Sequence, residues 1–173
     1  GDIRLGRIET ISRETNVRIN DATGENDSGI QEVVASNRPL FQNFGTRIDN
    51  GVSYRSPVLG GFQGILTIGL NEDFKSTSSA TPPVTSKASE YHGLGLIFGQ
   101  GPFNAAVSYE EFSGGVVSGS YNKAVTVGAN YNFGLATVYA AYQNTSDFGP
   151  QLAAPTFTKG TDHDAYNVGV KVP

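Results

Sequence analysis

The chain has 173 residues, enough for one domain with a full core, yet only 38% are hydrophobic and 22 are Gly. No run approaches the roughly 18 apolar residues of a membrane helix, and the lack of Cys removes disulfides, thiolate chemistry and the common zinc sites. A formal charge of −4 leaves no basic footprint for nucleic acid.

Residues 1–8, GDIRLGRI, read as a strand with Ile3 and Leu5 on one face and Asp2, Arg4 and Gly6 on the other. Residues 9–44 follow no strand pattern and are rich in Asn, Asp, Glu, Thr and Ser. Structureless loops beyond about 12–15 residues are uncommon in compact domains and are usually functional or disordered. The apolar clusters at 30–34 and 40–44 favour a loop that packs against something. Residues 46–70 then form a hairpin. Ile48, Val52 and Tyr54 fall on one face, and Arg47, Asp49, Ser53 and Arg55 on the other. After a turn at 57–61 the even positions Phe62, Leu66, Ile68 and Leu70 are again apolar.

Residues 71–89 read as a Ser/Thr/Pro/Lys loop in which Pro82-Pro83 excludes regular structure. The next strand, 90–99, sets Leu94, Leu96 and Phe98 against Gly93 and Gly95. Beyond the Gly101-Pro102 turn, Phe103, Ala105, Val107 and Tyr109 alternate with Asn104, Ala106 and Ser108. Residues 110–122 read as a loop. Val125, Val127, Ala129 and Tyr131 then alternate with Thr126, Gly128 and Asn130, and a turn at 133–135 leads to Val138, Ala140 and Tyr142. A polar loop spans 144–164, and Tyr166, Val168, Val170 and Val172 open a last strand that carries Lys171 on its other face.

One face of these strands is continuously apolar, while the other holds Gly, Ser, Thr, Asn and a few charges. Connections alternate between short (57–61, 99–102, 133–135) and long (9–44, 71–89, 110–122, 144–164). Together these features predict an all-β, antiparallel up-and-down transmembrane β-barrel, with hydrocarbon outside and water inside. The chain opens and closes in mid-strand, so the expectation is a piece of a longer mature chain forming part of one barrel domain, with no separate domains. No catalytic chemistry emerges. There is no G-x-S-x-G and no credible nucleophile–base pair. Asp162-His163-Asp164 lacks a third ligand at useful spacing, and Gly93-Leu94-Gly95 is not followed by a helix. No enzyme, cofactor or metal is expected.

The strings GDIRLGR, FGTRIDNGVSYRSPVLGGFQG, LGLIFGQGPF and YNVGVKVP resemble the trimeric general porins of Gram-negative outer membranes, in particular their Neisseria- and Burkholderia-like branch. The resemblance implies a sixteen-strand barrel, of which this chain supplies eight strands from the middle half. It also implies a homotrimer embedded in outer-membrane lipid that passes small hydrophilic solutes and ions by passive diffusion. Loop 9–44 matches the family's constriction loop, which folds into the barrel. Arg4, Arg47 and Arg55 match basic wall positions, and Asp21, Glu25, Asp27 and Glu32 supply the loop's acids. Arg7 and Arg38 match the loop root, while Asp49 and Lys171 are further lumen-facing positions. The wall set, counted with Lys171 against Asp2 and Asp49, leans toward anions. Two other readings stay open from the residues alone: another outer-membrane barrel such as a substrate-specific channel, and a soluble or cell-surface β-sandwich that binds or adheres.

Overall fold

A computed structural model describes residues 1–17, 47–70, 74–75, 85–86, 90–113, 121–148 and 161–173. In chain order the strands are β1 (Asp2–Glu9), β2 (Arg47–Arg55), β3 (Phe62–Gly69), β4 (Phe74–Lys75), β5 (Thr85–Ser86) and β6 (Glu90–Gln100). They continue with β7 (Phe103–Ser113), β8 (Tyr121–Asn132), β9 (Thr137–Phe148) and β10 (Thr161–Lys171). Eight of them make one sheet in the order β1-β2-β3-β6-β7-β8-β9-β10, with every neighbouring pair antiparallel. Among the described residues no pairing joins the edges β1 and β10, so the sheet is not closed. The short β4 and β5 pair with each other, so the connection between β3 and β6 does hold a small ladder.

The two faces invert the distribution of a soluble core. Leu94, Leu96, Val107, Val125, Val127, Val168 and Val170 are exposed on the outer face. Buried on the inner face are Ser53, Thr67, Ser108, Thr126, Gln143 and Thr145. Inner hydroxyls and amides satisfy one another across strands. Ser53 Oγ and Thr67 Oγ1 are 2.9 Å apart, Gln143 Nε2 donates to Thr126 Oγ1 at 2.8 Å, and Asn104 Nδ2 donates to Asn130 Oδ1 at 3.0 Å. An apolar band outward and polar groups inward is the arrangement that hydrocarbon imposes on a sheet.

Tight turns at 56–61, 101–102 and 133–136 gather at one end of the sheet, each with a left-handed Gly: Gly60 and Gly61, Gly101, and Gly134. Rings cluster beside them, with Phe62–Phe98 centroids 4.5 Å apart and Tyr131–Phe133 4.6 Å apart. Toward the opposite end the Tyr142 and Tyr166 rings lie 5.0 Å apart. Aromatic rings at both ends are what two interfacial girdles require.

Strand ends depart from the sequence expectation. β7 runs past Tyr109 to Ser113, β9 past Asn144 to Phe148, and β10 begins at Thr161. Apolar alternation ends where the hydrocarbon would end, but backbone pairing does not need apolar side chains and continues beyond it.

The face expected for Arg47 and Asp49 is also corrected. The β1–β2 register pairs Gly6 with Gly51 and Ile8 with Ile48, leaving two residues, Asp49 and Asn50, opposite Arg7. Asn50 takes a left-handed φ of 52° there. This β-bulge breaks the two-residue period. Ile48 therefore shares the inner face with Gly51, where a Cβ would overlap the Ile8 side chain. Arg47 and Asp49 turn to the outer face, away from Arg55. Ile8, Ile48, Tyr91 and Ala124 form a small apolar cluster on the inner side.

Candidate functional site

Past Glu9 the chain turns off the end of β1 and runs inward. Thr10 to Ser12 lead into a wide helical turn, Arg13–Val17, fastened by Glu14 N–H to the Thr10 carbonyl at 3.1 Å and by Thr15 Oγ1 to the Ile11 carbonyl at 2.8 Å. This segment packs on the inner face of β6 and β7. Thr10, Ile11, Ser12 and Thr15 are buried against that face.

The wall makes room for it with glycine. A Cβ at Gly93 would overlap Ile11, and one at Gly95 would lie 3.2 Å from Thr15 Cγ2 and 3.3 Å from Ile11 Cγ2. The alternation Leu94/Leu96 against Gly93/Gly95 thus has two causes. The leucines face outward, and the glycines form a notch into which the inward segment fits.

Charge concentrates where the segment meets β1 and β2. The buried Glu14 Oε1 accepts from Arg4 Nη1 at 3.2 Å and from Arg55 Nη2 at 2.5 Å. Arg4 Nε also donates to Asp2 Oδ2 at 2.9 Å. Glu14 Oε2 is buried with no hydrogen-bond partner among the described residues. Two arginines therefore face two carboxylates, and the cluster carries no net charge. Removing one member of a buried pair is costly because it strands the other charge. Arg4 is half exposed, which discounts its share.

A second contact joins the segment to the wall. Tyr91 Oη accepts from the Ile11 N–H at 2.8 Å and donates to Glu110 Oε1 at 2.6 Å. Glu110 Oε1 also accepts from the Ser12 N–H at 2.8 Å.

Of the sequence-derived site residues, Arg4 and Arg55 come together on Glu14, whereas Arg47 lies on the other face. Arg7 Nε pairs with Asp49 Oδ1 at 3.3 Å, both well exposed, beside the bulge. Lys171 lies at the end of edge strand β10, paired in register with Thr137. Asp21, Glu25, Asp27, Glu32 and Arg38 lie outside the described residues. Sequence reasoning missed Glu14 and Glu110. Glu14 had a signal in being the first acid after Glu9 in a run otherwise free of strand pattern. For Glu110 the signal was parity, since it continues the inner series Asn104, Ala106, Ser108.

A family model described as Gram-negative porin matches residues 1–173. The outer membrane porin protein 32 of Delftia acidovorans is 27% identical over 175 residues, covering 98% of this chain and 48% of that protein. The solved structure of the anion-selective porin from Comamonas acidovorans has the same fold, with a TM-score of 0.63 at 22% identity. That match covers 100% of this chain and 49% of the other. The chain thus spans about half the length of the relatives it matches.

Proposed function

This chain belongs to the Gram-negative porin family, and from that premise we propose that it contributes the middle half of a sixteen-strand, water-filled diffusion channel with a charged constriction. It is an outer-membrane β-barrel protein, and its role is not enzymatic. The observation that carries the channel reading is the inward segment seated on a polar wall whose opposite face is apolar. A water-filled slot bounded by a low-dielectric wall screens charge less than an open surface does. Small hydrophilic solutes and ions align there, and apolar solutes must displace ordered water without compensation.

In this proposal Arg4 and Arg55 form the basic side of the constriction. Glu14 is its nearest acid, and Asp21, Glu25, Asp27 and Glu32 extend the acidic side along the loop. The loop is rooted through Arg7 and Arg38. Lys171 adds a further lumen charge. The assembly is a homotrimer in outer-membrane lipid, of the Neisseria- and Burkholderia-like branch, that does not engage nucleic acid. With Arg47 and Asp49 on the outer face, Arg4, Arg55 and Lys171 against Asp2 still leave the wall a weak preference for anions, in line with the selectivity named for the Comamonas relative. Single-channel recording in planar bilayers tests this, using the full-length protein that contains this chain, refolded in detergent. Three-step, ohmic, weakly selective openings are expected, and Arg55→Ala should move the reversal potential toward cations. Protein that folds in water without detergent and never conducts would end the proposal.

A further inference from the structure

We infer that Tyr91 and Glu110 are positioning residues for the constriction, a latch in the wall that grips the backbone of Ile11 and Ser12 and fixes how far the inward segment projects. The inference rests on the diffusion-channel reading for its functional consequence, but the latch itself stands on geometry.

Glu110 on β7 and Gly93 on β6 are cross-strand partners. Tyr91 precedes Gly93 by two residues on the same inner face, and its ring leans along the strand across that glycine. A Cβ at Gly93 would lie 2.7 Å from Tyr91 Oη and 3.1 Å from Cε1. Gly93 therefore does two things at once: it admits Ile11 from above and lets the phenol lie flat enough to reach the carboxylate opposite. The hydroxyl so placed accepts one backbone N–H and donates to Glu110, which accepts the next backbone N–H along the chain.

These are buried groups, with Tyr91 and Glu110 each only 1% exposed. A buried N–H without an acceptor carries its full desolvation cost. The first N–H groups of a helical segment have no partner within it, so the wall must supply the acceptors for Ile11 and Ser12. The Glu14–arginine cluster grips a side chain one turn later and cannot replace them. Strand pairing between β6 and β7 is complete through backbone bonds without either side chain. The pair's distinctive contribution is thus to the segment's position, not to the sheet.

The test compares wild type, Glu110→Ala, Glu110→Gln and Tyr91→Phe in the full-length protein refolded in detergent. Amide hydrogen exchange at residues 10–15 is read together with single-channel conductance and noise, and strand content is checked by circular dichroism. Losing its buried acceptor should speed exchange at Ser12 by about tenfold in Glu110→Ala, with a smaller rise at Ile11, whose acceptor Tyr91 Oη remains but loses its own anchor. Glu110→Gln, which keeps a carbonyl acceptor, should restore most of the protection. Tyr91→Phe should release Ile11 more than Ser12, and it carries the test if Glu110→Ala fails to fold. Channel noise should rise in step with exchange. Unchanged exchange in folded Glu110→Ala and Tyr91→Phe overturns the latch. Faster exchange with unaltered conductance and noise overturns its positioning role. Lost protection in a protein whose wild type conducts nothing upholds the latch and overturns only the channel reading.

Discussion

Strands β6–β9 and the pair β1–β2 meet the same demand, a sheet dry on one side and wet on the other, by different means. From β6 through β8 to β9 the pairing proceeds without a register shift, and each residue's parity decides its face. At β1–β2 the extra residue of the Asp49–Asn50 bulge reverses parity within one strand, so Arg55 and Ile48 look inward although their numbers predict opposite faces. The regular region presents a uniform wall. The bulged region offers an apolar foothold, Ile8 and Ile48, at the place where the chain leaves the sheet and turns inward. Regularity serves insertion into lipid, and the irregularity serves what is mounted on the wall.

The largest test strikes the regular wall. Val127→Lys puts a charge on its lipid side and should cost about 2–4 kcal/mol near mid-membrane, measured by reversible denaturation in lipid vesicles. Asn104→Lys, on the inner side, should cost only about 1 kcal/mol in the same assay, for the lost hydrogen bond to Asn130. Equal losses at the two sites would mean that the faces are not different solvents.

A smaller effect is expected at the bulge. Asn50→Val asks a β-branched residue to adopt a left-handed backbone and should destabilise by about 1–2 kcal/mol. Asn50→Gly, free of that strain, should stay within a few tenths of a kcal/mol of wild type. If valine is tolerated as well as glycine, the bulge is absent in the membrane.

The smallest effect, on ion selectivity rather than on stability, lies in the inward turn. Glu14→Gln removes one negative charge from an otherwise balanced cluster. A unit charge at about 4 Å acts with about 1 kcal/mol in water, so anion preference should rise roughly fivefold at low salt and fade as salt increases. Reversal potentials across a salt gradient read this directly. No change would mean that permeating ions do not pass near Arg4 and Arg55.

How much of this was legible follows from the same comparison. In β6–β9 the outer leucines and valines and the inner Gly, Ser and Thr could be assigned correctly, because a two-residue period without bulges is a one-dimensional code. The end positions of β7 and β9 could not, since hydropathy reports the thickness of the oil and not the length of the ladder. At Arg47 the code failed. The Asn50-Gly51 dipeptide was the available clue, Asn being among the few residues that accept a left-handed backbone. The partnership of Glu14 with Arg4 and Arg55 depends on a chain reversal, and that of Glu110 with Ser12 on a register across two strands. No local pattern encodes either.

The hydrogen bonds from Ile11 to Tyr91 and from Ser12 to Glu110 join residues 80 and 98 positions apart in the chain. Tyr91 and Glu110 converge only once β6 and β7 have zipped into register, a local event across a two-residue turn. Docking the inward segment requires a much longer closure, and its entropy must be met before any bond rewards it. The expected order of folding is therefore the wall first, its occupant after. A refolding barrel should pass through a stage in which the β6–β7 hairpin is protected and the amides of Ile11 and Ser12 are still open to solvent.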